Sequence, residues 1–337
     1  MSTALRIGAR RSPLARAQAG TVAVLLAERG TRSSFVGITT TGDVDSRQLT
    51  EIGGTGVFAT AVRSALREGT IDLAVHSLKD LPTVQPDDLE IAAVPSREDS
   101  RDVLVGCRLD QLSDGARIGT GAPRRALQLQ DWARIRKIDI EVIPIRGNVQ
   151  TRLDQVAAGK LTGVLLAAAG LRRLGYLDLA VSDNADVVVR QLPGQVLGLD
   201  QMLPAPGQGA LALEVSRDLP DGLRASVAAL NDPRSRAECD AERGFLAALQ
   251  AGCTAPVGAR AFVKSVRDTS VDLTLAAVIG RTLSSRLSEP AQSPPFRLEV
   301  QGSTSDPAAY GAATGRSVLG KLRDLQRTRH GDVEAEQ

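Results

Sequence analysis

The sequence predicts an α/β fold followed by a smaller α+β unit, on three observations. Over the first two-thirds, short β-branched runs alternate with amphipathic helical stretches, as α/β units require. The segment Gly163 to Ala168 is nearly all apolar, which suits a strand covered on both faces. Beyond Leu219 the order changes to a long helix, a loop, three strands and a further helix. At 337 residues the chain exceeds one small core and suits two or three domains.

The elements follow in order. Ser12-Pro13 is a helix start, with serine at the N-cap and proline at the first helical position. The helix carries Leu14, Val22, Leu25 and Leu26 and is stopped by Gly30. Phe35 to Thr40 reads as a strand, and Thr55 to Glu68 as a helix closed by Gly69. Ile71 to Val75 is a strand running into the polar turn His76-Ser77-Leu78-Lys79-Asp80-Leu81-Pro82. A second set of units begins near Asp99, with strands at Arg117–Gly119, Ile138–Ile145 and Gly163–Ala168 and helices at Pro123–Ala133 and up to about Ala158. Gly207 to Val215 reads as a strand returning to the first domain. A helix over Pro233–Ala251, a loop at Gly252–Pro256, strands near Val257–Val263, Val271–Ile279 and Phe296–Val300, and a helix over Pro307–Arg327 complete the chain. The expected division is 1–97 with 203–217, then 98–202, then 218–328, with a polar, disordered tail at 329–337.

Composition narrows the function. Aromatics are 2% of the chain, too few for stacking on single-stranded nucleic acid, and a net charge of +2 gives no global attraction to DNA or anionic membranes. Leu5 to Gly8 already reads as strand and turn, which leaves no room for an apolar leader, and no run reaches the ~18 apolar residues of a membrane span. Cys107, Cys239 and Cys253 are widely spaced with no C-x-x-C pair, and there are 2 histidines, so neither a disulfide framework nor a metal site is expected. The expectation is a reduced, cytoplasmic protein without metal or nucleic-acid partner.

In open α/β sheets, ligands bind beyond the carboxyl ends of strands, where helix N-termini offer free N–H groups. Arginines fall at such places: Arg10-Arg11 before Ser12, Arg124-Arg125, Arg146, Arg152 and Arg172-Arg173. Guanidinium forks bind carboxylates bidentately, so several converging on one cleft would suit a ligand with many carboxylates. Any one of them is equally a solvated surface charge. Asp80, beside Lys79 at a strand end, can exchange a proton or stabilise a cation; alone, it reads first as a capping residue in an ordinary turn. Cys253 lies in a loop of small residues, Ala251-Gly252-Cys253-Thr254-Ala255-Pro256, that leaves its sulfur accessible.

The stretches RIGARRSPLARAQA, TTTGDV, GGTGVF, DLAVHSLKDLP, SREDSRDVL, IGTGAPRRALQL, IRGNVQTRL, AAAGLRRLG, LPAPGQGALALE and AERGFLAALQAGCTAPVGA are together very specific in order and spacing. The chain resembles the porphobilinogen deaminase (hydroxymethylbilane synthase) family from about Leu5 to Val300. The resemblance implies two periplasmic-binding-protein-like α/β domains around a cleft, plus a small α+β C-terminal domain. It implies a transferase of heme and porphyrin biosynthesis that condenses four porphobilinogen molecules, with loss of ammonia, on a covalent dipyrromethane primer. Hydrolysis then releases the linear hydroxymethylbilane. It further implies that Cys253 carries the primer as a thioether and that Asp80 is catalytic. Lys79, Ser12, Arg124, Arg125 and Arg146 would hold the cofactor; Arg10, Arg152, Arg173 and Gln208 would hold the substrate and growing chain. A monomer is implied. The chain departs from many relatives at Glu51, Thr55 and Ala122. The rival readings are a catalytically inactive polycarboxylate-binding relative, which would need neither Asp80 beside Lys79 nor Cys253, and a ligand-sensing regulator, for which the third domain lacks any helix-turn-helix pattern.

Overall fold

The computed structural model describes residues 4–39, 57–178, 182–251, 255–267, 269–280 and 294–334. Three sheets organise them, and the first two place candidate residues on their carboxyl edges.

The first sheet contains β1 (Leu5–Arg10), β2 (Ser33–Ile38), β3 (Leu73–Ser77), β4 (Leu89–Ala93) and β11 (Leu211–Ser216), in the order β2-β1-β3-β11-β4. β1 is parallel to both β2 and β3, so Arg10 and Ser77 end neighbouring strands at the same edge. β11 runs antiparallel between β3 and β4, with Leu211 opposite Ser77. It is the returning strand anticipated from Gly207–Val215. Helix α1 (Pro13–Ala27) is capped by the Ser12 Oγ, which accepts from the Ala15 N–H at 3.3 Å. Its Ala15, Ala19, Val22 and Leu26 recur at helical spacing and pack on Leu5, Ile7 and Ala9. Helix α2 (Val57–Arg67) closes the other face, with Val62, Ala65 and Leu66 against Ile71, Ala74 and Leu89.

The second sheet is made of β5 (Asp102–Val105), β6 (Ala116–Gly119), β7 (Ile140–Ile143), β8 (Gly163–Ala167), β9 (Asp186–Val189) and β10 (Leu192–Leu197), in the order β7-β6-β8-β5-β10-β9. β6 is parallel to β7 and β8, and β5 is antiparallel to β8 with Asp102 opposite Ala167. Asp102 therefore begins its strand at the edge where β6, β7 and β8 end. Helices α3 (Pro123–Arg136), α4 (Val149–Ala157) and α5 (Ala168–Arg173) each start from that edge.

The third sheet, β12 (Val257–Val266), β13 (Val271–Ile279) and β14 (Phe296–Thr304), is an antiparallel meander. Helix α6 (Asp221–Ala228) leads into the third unit. Its core joins α7 (Pro233–Ala248) and α8 (Pro307–Glu334) to that sheet, with Phe245 wholly buried.

Several boundaries differ from expectation. The Ile71 N–H caps α2 through the Ala65 carbonyl, so β3 starts two residues later and takes in His76 and Ser77. The hairpin β9–β10 turns on Arg190 and Gln191 at φ 49° and 71°, without the glycine or asparagine that marks such turns. α8 runs to Glu334, so 329–334 are helical where an irregular tail was expected.

Candidate active site

The β3 strand ends in a single 3-10 turn, Leu78–Asp80, which points successive side chains to different places. Leu78 is buried in the core, and its N–H donates to the Ala210 carbonyl at 3.0 Å. Lys79 turns toward the crossing to the second sheet, where its ammonium donates to Gln208 Oε1 at 3.0 Å. Asp80 is exposed. It lines an open cleft together with Arg10, Ser12, Gln18, His76 and Ser77.

Asp102 is the hub of the buried part. Arg124 donates to it through both Nη atoms, at 2.6 and 3.2 Å, and Arg125 through Nη2 at 2.7 Å and Nε at 3.2 Å. Gln208 Nε2 donates to the same carboxylate at 2.8 Å, while Gln208 Oε1 accepts from Arg124 at 3.0 Å as well as from Lys79. The remaining guanidinium contacts go to carbonyls, Arg124 to Leu203 at 3.0 Å and Arg125 to Leu165 at 2.8 Å. Burial opposes ionisation of Asp102, but Arg124 and then Arg125 outweigh it and hold the carboxyl far below the usual carboxylate range. Lys79, Arg124, Arg125 and Gln208, four of the residues singled out in the sequence, thus form one hydrogen-bonded network.

The outer cations lie around it. Arg152 donates to the Gly147 carbonyl at 2.9 Å; burial, then the charges of Arg125 and Arg146, push its pKa down to about 10. Arg173 donates to the Gly209 carbonyl at 2.7 Å; burial lowers it to about 10, with Glu98 opposing and Arg172 assisting. For Lys79 the drop is to about 8, from burial first; Asp80 resists it, Arg125 and Arg124 add to it and Asp102 resists it. All three groups would gain from an anion, so the carboxyl edge fits a ligand carrying several carboxylates.

Arg10 and Ser12 line the cleft with Asp80, the Ser12 Oγ also serving as the α1 cap. Ala122 caps α3 without a side-chain bond, and the Thr120 Oγ1 accepts from its N–H at 3.2 Å. Cys253, Glu51 and Thr55 lie outside the described residues.

Sequence reasoning missed Asp102, although it stands within SREDSRDVL; nothing local distinguishes it from the neighbouring acids. It also missed Glu242 of α7, which is wholly buried, pairs with Arg97 at 2.7 Å and accepts from the Gly207 N–H at 2.6 Å. Arg97 in turn donates to the Gln208 carbonyl at 2.8 Å, so the third unit grips the crossing next to the network. A glutamate inside an amphipathic helix gives no sequence sign of such a partner.

Residues 5–222 match the family model "Porphobilinogen deaminase, dipyromethane cofactor binding domain", and residues 236–289 match "Porphobilinogen deaminase, C-terminal domain". The chain belongs to the porphobilinogen deaminase family. It is 48% identical over 328 residues to porphobilinogen deaminase 1 of Streptomyces avermitilis, covering 95% of this chain and 94% of that one. Porphobilinogen deaminase 1 of Streptomyces coelicolor is 50% identical over 288 residues, 84% of this chain and 86% of its own. The family member from Acidothermus cellulolyticus is 44% identical over 322 residues, 94% of this chain and 88% of its own. Among solved structures, the ligand-binding component of an ABC-type import system from Staphylococcus aureus aligns with a TM-score of 0.38 at 14% identity, covering 72% of this chain and 73% of that one. A periplasmic substrate-binding protein from Coxiella burnetii aligns with a TM-score of 0.39 at 15% identity, over 69% and 94%. The architecture is two mixed-sheet α/β domains with a small separate sheet domain at the C-terminus.

Proposed function

We propose that the chain is a hydroxymethylbilane synthase, a transferase of tetrapyrrole biosynthesis that joins four porphobilinogen units on a dipyrromethane primer and releases the linear product by hydrolysis. The observation that carries the reading is the pairing of one exposed carboxylate, Asp80, in the cleft wall with an edge of buried and half-buried cations. The division into a first domain with a returning segment at 203–217, a second at 98–202 and a separate third is supported by the three sheets. Leu219, Val227 and Leu230 pack into the first core, which argues for a third unit that starts later than 218.

Porphobilinogen carries two carboxylates, and each condensation adds two more to the cleft. Arg10, Arg152 and Arg173 hold those of the substrate and growing chain, with Gln208 beside them. Lys79, Ser12, Arg124, Arg125 and Arg146 serve the primer, which Cys253 anchors. Arg124 and Arg125 act with Asp102 as its neutralised floor, since most of their donors are directed to that carboxylate and to carbonyls. When bound, the dipyrromethane would supply the nucleophilic pyrrole carbon that receives the first unit, the terminal ring of the growing chain offering the same carbon to each later one. Asp80 stabilises the cation that forms as the C–N bond of the aminomethyl group breaks and the electron pair leaves with ammonia; its carboxylate faces the pyrrole N–H.

Among the described residues no helix is long and apolar enough to cross a membrane. A cytoplasmic location is supported by the free thiols of Cys107 and Cys239, and a lack of nucleic-acid partners by the low net charge. The monomer remains part of the proposal, and elution volume in size-exclusion chromatography checks it.

The decisive experiment is intact mass, with Cys253→Ala as control. The wild type should be heavier by a two-pyrrole unit that the variant lacks, and porphobilinogen should add further steps. Asp80→Asn should keep the primer mass and lose ~10²-fold or more in turnover. Turnover within a few-fold of wild type would remove the role from Asp80. An unmodified wild type, even after incubation with porphobilinogen, would leave the non-catalytic polycarboxylate binder.

A further inference from the structure

The Asp80 turn rests on a buried ion cluster that the binding edge does not use. On the antiparallel pair β3–β11, Ala212 lies opposite His76 and Glu214 opposite Ala74, so His76 and Glu214 are diagonal neighbours on one face. Glu214 is wholly buried, and Arg63 of α2 and His76 are each 8% exposed. Arg63 grips the Glu214 carboxylate through Nε, 3.1 Å from each oxygen, and Nη2 at 2.7 Å. His76 Nε2 lies 3.1 Å from the carboxylate, in close contact with it but buried and without a hydrogen bond. Burial opposes ionisation of Glu214, yet His76 and Arg63 keep its pKa below the ordinary value, so Glu214 is a buried carboxylate paired with a buried guanidinium.

The cluster does not end at the strands. Arg63 Nη2 also donates to Gln85 Oε1 at 3.0 Å, and Gln85 Nε2 donates to the Pro82 carbonyl at 3.3 Å. Pro82 is two residues past Asp80. The same carbonyl accepts from Arg243 of α7 at 2.7 Å, and Arg243 further donates to the carbonyls of Leu81 and Thr83 at 3.3 and 3.4 Å. The strand entering the turn and the backbone leaving it are thus tied to one buried carboxylate. A fully buried charge is a poor means of stabilising a fold, since well-packed apolar groups do as well or better. It is a good means of fixing geometry, because its partners have one arrangement that satisfies it.

We propose that Glu214 is a positioning residue for Asp80: through His76 on one side and Arg63 and Gln85 on the other, it fixes the backbone from His76 to Pro82 and so the place of the Asp80 carboxylate in the cleft. The proposal rests on the reading of Asp80 as the catalytic carboxylate. None of these side chains belongs to the cations that hold carboxylates, so cutting the tie should move kcat and leave KM in place.

The test is a double-mutant cycle. Gln85→Leu, at the half-buried end of the chain of contacts, and Glu214→Gln are each made in the wild type and with Asp80→Asn, and kcat and KM for porphobilinogen are measured beside intact mass and thermal unfolding. In the wild-type background Gln85→Leu should lower kcat on the order of tenfold or more, because small displacements of a reacting group are costly, with KM within about twofold and the primer mass unchanged. With Asp80→Asn it should cost nothing further, since residues that act as one unit are non-additive. Glu214→Gln should repeat the pattern; if it fails to fold, Gln85→Leu alone decides. Losses that multiply in the Asp80→Asn background, or a wild-type kcat for Gln85→Leu, overturn the positioning role. Near-wild-type turnover of Asp80→Asn itself sinks both this role and the assignment of Asp80, and so is told apart from the first failure.

Discussion

At Lys79 two demands meet in one side chain: the proposed function needs it charged to hold a carboxylate, and it is enclosed where charge is disfavoured. Its pKa in the folded protein is about 8 against an ordinary 10.5, so between those values the unfolded chain binds more protons than the folded one. This residue therefore makes the ligand-free protein more stable as pH rises through that window, while the ligand loses its partner over the same range. KM should accordingly rise as pH passes about 8, and Lys79→Arg, whose charge persists, should abolish that inflection. The paired prediction concerns Asp102, whose replacement by asparagine leaves two buried guanidiniums sharing no counter-charge. Breaking a buried pair in this way costs about 3–5 kcal/mol, so Asp102→Asn should lower the unfolding free energy by that order in denaturant titration. Asp102 was invisible in the sequence for a physical reason: its importance comes from partners 22 and 23 residues away on another element, not from its neighbours.

Elements with strong local signals were legible and those defined by pairing were not. α1 announced itself by Ser12-Pro13 and its apolar spacing. β4, β5 and the β9–β10 hairpin are short, and their existence depends on the strands beside them. The candidate cations were legible as a group because arginines at strand ends are unusual in number, whereas the pairings that divide them into a neutralised floor and an outer field exist only in three dimensions. Helix packing in the third unit carries a prediction of its own. A Cβ on Gly311 would come 1.9 Å from the Ala241 carbonyl oxygen, and one on Gly244 would come 2.1 Å from that of Ala308. α7 and α8 therefore touch backbone to backbone, and any side chain there must drive them apart. Gly311→Ala should destabilise by about 1–3 kcal/mol or more, despite alanine's better helix propensity, and a lowered unfolding midpoint would record it. An unchanged midpoint would mean the contact is not made.

The whole molecule links the carboxyl edges of two sheets through Gln208, and the segment 203–210 is where all three units meet. Gln128 of α3 exchanges two hydrogen bonds with the Leu203 backbone, at 2.8 and 3.0 Å. The Ala259 N–H of the third sheet donates to Pro204 at 2.9 Å, and Gly207 is held by Glu242. Gly209, at φ 89°, passes so close to Glu98 that a Cβ would lie 2.3 Å from its carbonyl oxygen. With the crossing fixed this firmly, the proposed function has a lengthening polycarboxylate accommodated by the cations around it, each engaged by a different stage of growth. Arg152 stands on α4 beside Gly147 and Arg173 at the end of α5 beside Gly209. Removing one should then weaken only the intermediates that reach it, by about 1.5–3 kcal/mol for a charge-assisted hydrogen bond. Arg152→Gln, given limiting porphobilinogen, should accumulate one covalent mass step that the wild type passes through, while retaining its primer and its unfolding midpoint. A uniform slowing of every step would place Arg152 in substrate capture instead, and loss of the primer mass would place it on the cofactor, so the pattern of masses assigns the residue to its stage.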